Sequence, residues 1–543
     1  MKLIKKAIIA SIITIILMIS SNTLALPSNI SNVEIKGNKD ISMINNNQID
    51  KESEYDILDF DPLVNLQVTV NIREIRALDD IDLFSEPDFY VVVYINGIKQ
   101  VSPIWHNKRY IKDDWSTQPV DIPEDKEDVK IKIQLWDKNT FLDKKCDINS
   151  NFNTSYLDKK DIDIVYNIKT GHWRGDDYNY PDILSDLSGY GRANGCDDNS
   201  IYQNKRDCEL WFDITQNDYD NDGIPYWVEK YVFKTDPEVD NTGWDNDSDG
   251  VPIEWEYKWG HVYYYNWWQH KYESMWIYDP FVWEDHANLD IDEDGLQNTE
   301  EYLTSQWGSD PHRKDIFLEI DQMEISEDKR GAFVPNRSFD LLQDAFARRN
   351  IVIRVDDGCM GGGQKDIPFD PQTEGHEFDE IYFKYFLNND SNYWRRGVFH
   401  YSIIVYYPEA ASAAGFAFSS EVNGVRLIDC FALGTMIHEN IPLYQNPMWY
   451  NILRRKTFSI QKQKEIIYAG VMMHETGHVL GIFRGNTPGC DNRNEILKYF
   501  NYKSCMNYFY TYFHVDYSDG SHGVNDFDDW DRIDLTRFQM EYN

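Results

Sequence analysis

Two histidines four residues apart, with a glutamate beside the first, stand in the stretch VMMHETGHVLGIFRGNTPGCDN at 471–492: His474, Glu475 and His478. On a helix, positions four apart share one face, so both rings can point a nitrogen at one tetrahedral zinc ion. Glu475 stands about 100° further round the same turn, beside such an ion without ligating it. Zinc lowers the pKa of a coordinated water to about 7, and a carboxylate in that place can take its proton, which is the chemistry of hydrolysing a peptide carbonyl.

Two further features extend this pattern. Gly481 follows His478 by three places, where a helix can stop in a left-handed turn that a residue without Cβ accepts. Downstream, Ser504-Cys505-Met506-Asn507-Tyr508 has the S-x-M-x-Y form. Over 313–543 the chain therefore resembles the metzincin zinc endopeptidases. The resemblance implies an α+β domain with one catalytic Zn²⁺ held by His474 and His478, Glu475 as general base and proton shuttle, and Met506 in the Met-turn floor beneath the metal. It also places Tyr508 where it helps hold the oxyanion. The long motif of that class has a third histidine at the position occupied here by Arg484, whose guanidinium has no lone pair for a metal. Asp491, in the Gly489-Cys490-Asp491-Asn492 turn, is the first candidate to complete the shell; Glu495 and Tyr508 are the others.

A second chemistry repeats three times. Asp218, Asp220, Asp222, Gly223 and Glu229 have the spacing of an EF-hand loop; Asp245, Asp247, Asp249, Gly250 and Glu256 repeat it, as do Asp290, Asp292, Asp294, Gly295 and Glu301. Oxygens at places 1, 3 and 5 wrap a hard cation, glycine at place 6 makes the sharp turn, and glutamate at place 12 closes the shell. Each copy is followed by Asp-Pro, at Asp236-Pro237, Asp279-Pro280 and Asp310-Pro311. That punctuation resembles the thrombospondin type 3 calcium repeats of secreted prokaryotic proteins, which implies a spacer over 213–312 holding about three or more structural Ca²⁺.

The elements that must position these residues follow from periodicity. LQVTVNIREI, DFYVVVYING and VKIKIQLWD alternate apolar and polar residues as strands of an antiparallel sandwich do. Their order, with acidic loops at Asp79, Asp80, Asp82, Asp88, Asp137 and Asp143, resembles a C2-type domain over 63–169, and such loops can hold Ca²⁺. A connecting segment follows at 170–212. In the C-terminal part, a strand at 315–321, a helix from Ser338 as N-cap to Arg348, strands at 351–355 and 398–407, and a long helix from near Gln461 are expected. The expected fold class is thus multidomain, with a β-sandwich, a calcium-loop spacer and an α+β domain in that order.

At the N-terminus, Lys2, Lys5 and Lys6 precede a short apolar run and Thr23-Leu24-Ala25, the pattern of a secretory signal over 1–25, with a flexible linker over 26–62. An extracellular location is the expectation. Seven cysteines fit an oxidising exterior. Nearness in sequence suggests Cys196 with Cys208, Cys490 with Cys505 and Cys359 with Cys430, leaving Cys146 free. A net charge of −39, from 92 acidic and 53 basic residues, disfavours nucleic acid and bare anionic membranes as partners and suits bound cations. No other stretch is long enough to insert stably in a membrane, while association with a cell surface stays open. Two readings remain: a secreted enzyme acting on polypeptide, or an inactive calcium-binding surface or adhesion protein in which Arg484 marks a lost metal site.

Overall fold

Alternating burial organises the first region of the computed structural model, which describes residues 66–536 apart from 83–84, 113, 124–125, 150–158, 177–183, 188–190, 197–205, 267, 390, 410–414, 423–424, 445–458 and 493. The expected signal segment and linker lie outside the described residues. In Asp128–Asp137, Val129, Ile131, Ile133 and Leu135 point inward while their neighbours face outward, the two-residue period of a half-buried strand. This strand pairs with Phe89–Ile95 and Ile162–Asn167, and Ile98–Val101 and His172–Gly175 lie outside those. A facing sheet is built on Gln67–Ala77, which pairs antiparallel with Cys208–Gln216 on one side and with Tyr110–Ile111, Trp115–Ser116 and Val120–Asp121 on the other.

The sandwich runs past Lys169. His172–Gly175, Gly191–Asn194 and Cys208–Gln216, in or overlapping the expected connector, are all strands of its two sheets. Short polar interruptions hide this continuity in sequence, because only the register of Cys208–Gln216 against Gln67–Ala77 reveals it.

The three acidic loops share one backbone. Place 4 of each (Asn221, Ser248, Glu293) and place 6 (Gly223, Gly250, Gly295) have positive φ, and the first aspartate of each accepts the N–H of its own place-6 glycine at 3.0–3.2 Å. The closing glutamates sit on helical turns, Val228–Phe233, Ile253–Gly260 and Asn298–Thr304. Between the second and third loops a hairpin, His261–Asn266 with Lys271–Trp276, pairs with Leu184–Leu187.

These repeats are not a spacer holding two bodies apart. Buried Arg192 lies 3.4 Å from Asp310 and 3.6 Å from Asp315, and Arg313 donates to the Arg192 carbonyl. The sandwich also meets the C-terminal region directly: Arg76 and Arg109 reach Asp344 at 3.0 and 3.2 Å, and Asn194 donates to the Ala347 carbonyl. Although burial opposes ionisation, the two arginines hold the Asp344 carboxyl below its usual range. Breaking a buried pair of this kind by removing one partner costs about 3–5 kcal/mol.

The C-terminal sheet has five strands. In chain order they are Asp315–Gln322, Val352–Asp356, Phe399–Val405, Gly415–Val422 and Val425–Gly434; in space they run second, first, third, fifth, fourth, all parallel except Gly415–Val422, the antiparallel edge. Ile316, Leu318 and Ile320 face one core and Phe317 the other, so both faces are covered and the strand is buried throughout. Asn336–Ala347 and the long helix Ile460–Val479 cover the first face. Ser459 caps the long helix by accepting the Lys462 N–H, as expected for a start near Gln461. Ser338 is not the cap of Asn336–Ala347: Pro335 holds that place, and the Ser338 hydroxyl donates to the Glu465 carbonyl, tying the two helices together.

No disulfide joins any two of the seven cysteines. The expected bridges at Cys196–Cys208, Cys490–Cys505 and Cys359–Cys430 are therefore not formed. Nearness in sequence does not decide which thiols meet: Cys208, whose strand partner is Ala77, has its thiol beside that of Cys146, the cysteine expected to be unpaired. Cys359 is exposed on a turn while Cys430 is buried in the sheet with its thiol on Asp429.

Candidate metal centres

Helix Ile460–Val479 ends one residue after His478 in a Schellman turn. The Ile482 N–H donates to the Gly477 carbonyl and the Gly481 N–H to that of His478, with Gly481 at φ +99°. This turn also aims the Ile482 carbonyl at His478 Nδ1, 2.7 Å away, while the Cys505 carbonyl lies 2.8 Å from His474 Nδ1. A carbonyl oxygen only accepts, so each Nδ1 carries the proton and each Nε2 presents a lone pair. The two Nε2 atoms lie 3.1 Å apart, and Asp491 Oδ1 lies 3.2 and 3.5 Å from them. Zinc–ligand bonds of about 2.0–2.1 Å in a tetrahedron set ligand atoms about 3.3 Å apart, so the three atoms have the separations of one zinc shell. Asp491 Oδ1 is buried and accepts no hydrogen bond, as a ligand atom would be.

Asp491 reaches this place because it adopts φ +54° and donates its N–H to the Met506 carbonyl. The other two candidates fare differently. Glu495 is exposed and bonded to Lys498 and Asn492. Tyr508 stacks parallel on His474, ring centres 5.4 Å apart, and so restrains the ring. Arg484 is exposed, beyond the turn. Met506 is fully buried in the core, with its sulfur packed against Gly477 of the helix.

Glu475 is buried, its Oε2 meets no hydrogen-bond donor, and burial raises its carboxyl above the ordinary range in spite of the two histidines. Across from it is Gly415, the first residue of the edge strand, where a Cβ would come within 2.7 Å of Glu475 Oε1. Any side chain there would crowd the carboxylate. Nothing in the sequence near Gly415 points to the metal motif, and only the sheet order brings the two together.

The three loops supply the second set of centres. Both oxygens of Asp220 and of Asp247, and Oδ2 of Asp292, are buried without a hydrogen-bond partner; so are Oε2 of Glu229, both oxygens of Glu256 and Oε1 of Glu301. These are places 3 and 12 in each copy. Burial, with the neighbouring aspartates, pushes Glu229 up to about 8 and Glu256 up to about 10, and raises Asp292 and Glu301 as well. Convergent carboxylate oxygens that lack donors fit a hard dication with oxygen ligands. Glu284 and His286 join the second loop, although neither belongs to the repeat spacing.

The sandwich loops are different. Lys144 lies 2.6 Å from Asp82 and 3.7 Å from Asp137; the Asp88 N–H and Asn139 amide donate to Asp137, and Lys138 and Tyr90 bind Asp143. Asp79 accepts the Asp207 N–H. Protein donors therefore already take up much of this acid.

No protein-family model matches the chain. No curated protein matches it either. Among solved structures, a C2 domain resembles it at 14% identity over 28% of this chain and 98% of that one, with a TM-score of 0.16. A C2 domain of the plant Extended Synaptotagmin 1 resembles it at 10% identity over 28% and 96%, TM-score 0.17, and a C2 domain protein from Ramazzottius varieornatus at 8% over 27% and 87%, TM-score 0.16. The chain is mostly β-sheet, arranged in several sheets, and its N-terminal sandwich stands on the strand register given above.

Proposed function

We propose that this chain is a secreted, calcium-stabilised zinc endopeptidase. The observation that carries the reading is the convergence of His474 Nε2, His478 Nε2 and Asp491 Oδ1, each histidine held in the ligating tautomer by a backbone carbonyl. Asp491 takes the place of the third histidine that Arg484 denies. Zinc held there would polarise a water and a peptide carbonyl. Glu475, buried and with a free Oε2, accepts the proton of the attacking water and returns it to the leaving amine. Tyr508 orients His474 through its ring and supports the oxyanion. The edge strand Gly415–Val422 pairs on one side only among the described residues, so an extended polypeptide can lie along it next to Glu475. The three loops bind Ca²⁺ and stiffen the region that joins sandwich and peptidase domain.

The test is cleavage of casein by purified protein in saturating Ca²⁺. Glu475→Ala is expected to abolish cleavage and to keep the zinc, because this carboxylate moves protons and does not ligate. Cleavage that survives Glu475→Ala would reject the mechanism. No cleavage by the wild type together with no zinc would favour the alternative, a calcium-bound surface or adhesion protein.

A further inference from the structure

The three loops are equivalent in backbone yet one of them is not equivalent in chemistry. In each, Oδ2 of the fifth-place aspartate accepts a backbone N–H from a later segment: Asn241 to Asp222 at 3.2 Å, Glu284 to Asp249 at 3.2 Å and Asp315 to Asp294 at 2.7 Å. The side chains of these three donors diverge. Asn241 gives its amide N–H to the closing Glu229. Asp315 is tied to Arg354 at 3.0 Å. Glu284 turns its carboxylate into the second loop, and no donor reaches its buried Oε2.

Two residues on, His286 is fully buried with Nε2 3.2 Å from Asp249 Oδ2 and 4.0 Å from both Glu256 Oε1 and Glu284 Oε2. All four ligand atoms lie within 4.8 Å of one another. The Nε2 contact to Asp249 lacks hydrogen-bond alignment, and both oxygens of fully buried Glu256 are without a partner. On its other side, His286 Nδ1 lies 2.8 Å from the side-chain amide of Asn298, whose Oδ1 is buried and unsatisfied. Turning that amide end for end gives the oxygen the Nδ1 proton and leaves Nε2 as a lone pair aimed at the carboxylates.

We propose that the second loop, a calcium loop when no other ion is present, prefers a divalent transition-metal ion held on His286 Nε2 with Asp249, Glu256 and Glu284, at a position that the first and third loops lack. Calcium takes oxygen ligands, whereas an imidazole among carboxylates suits borderline ions of the zinc, cobalt and nickel kind. Four carboxylate-type or imidazole ligands from three segments would lock Glu284 and His286 onto the helix Ile253–Gly260.

The experiment uses full-length chain carrying His474→Ala and His478→Ala, so that the peptidase centre cannot bind the probe and its failure stays separate from this one. Co²⁺ is titrated in a large excess of Ca²⁺, followed by equilibrium dialysis and by its visible ligand-field bands. One Co²⁺ per chain should bind over calcium. His286→Ala should weaken it at least tenfold and Glu284→Gln several-fold, with calcium binding to the other two loops unchanged. If His286→Ala does not fold, Glu284→Gln alone carries the comparison. No Co²⁺ retained over Ca²⁺, or Co²⁺ whose affinity neither substitution changes, as would follow if it sat at Asp519, His522 and Asp526, would overturn the proposal.

Discussion

The end of the sandwich and the three repeat loops are both crowded with aspartate, and they treat it in opposite ways. At the sandwich, Lys144 stands between Asp82 and Asp137, and Lys138 and Tyr90 bind Asp143. In the repeats, at least one carboxylate oxygen at each of places 3 and 12 is buried with no donor. A buried ionised carboxylate without a partner costs several kcal/mol, so such oxygens persist only where protons or cations answer them. Acid content alone therefore does not mark a cation site. Convergence of acceptors short of donors is the sharper criterion, and His474, His478 and Asp491 converge likewise.

The largest expected effect is calcium removal. A cation that binds only the folded loops adds about 1.4 kcal/mol per site at ten times its Kd, so three sites together hold a large part of a domain's net stability. Chelation should lower the melting temperature by about ten degrees or more and open 213–312 to proteolysis first. Equal protease resistance with and without chelator would erase the contrast between the two acid-rich regions. Next in size is Asp491→Ala, which removes a direct ligand; zinc affinity should fall by more than the roughly 10- to 100-fold seen when only an outer-shell partner is lost. Competition with a chelating dye measures it.

A smaller effect sharpens the rule for partly answered acid. In the C-terminal sheet, Arg395 serves both Glu319, at 2.7 Å, and Asp356, at 2.6 Å. One cation cannot satisfy two buried carboxylates, and burial outweighs Arg395 to push Glu319 up to about 8. A carboxyl whose folded pKa lies above its unfolded value is favoured in its protonated form, so its stabilising contribution is complete below about 4.3 and is lost as pH rises toward 8. Thermal stability in saturating Ca²⁺ should thus decline by a few degrees across that window, and Glu319→Gln should flatten the decline. The smallest effect is at the sandwich: Lys144→Gln should cost no more than about 1 kcal/mol and leave Asp82 and Asp137 able to take a weak Ca²⁺ that the wild type does not bind there, read by calorimetry.

Local spacing made much of this legible. Gly223, Gly250 and Gly295 adopt positive φ, and the H-E-x-x-H helix runs from Ile460 with both histidines on one face. What spacing could not show are the groups that arrive from elsewhere. Gly415 meets Glu475 only through the sheet order; Glu284 and His286 reach the second loop across a hairpin; Cys208–Gln216 joins a strand more than a hundred residues earlier. Asp491 is an intermediate case, in the right turn by sequence, but placed by a left-handed φ and a bond to Met506 that no motif records. The cysteine pairings failed because nearness in the chain does not place thiols together: Cys359 is exposed while Cys430 is buried.

The most direct test of the proposed zinc centre is the zinc content of wild-type protein minus that of Asp491→Ala, both purified without chelator in saturating Ca²⁺ and measured by elemental analysis. Taking the difference cancels any zinc held at the second loop. With His474, His478 and Asp491 forming one shell, the wild type holds one more zinc per chain than the variant. Equal zinc in the two proteins, whether none or one, would contradict the assignment of Asp491 as the third ligand.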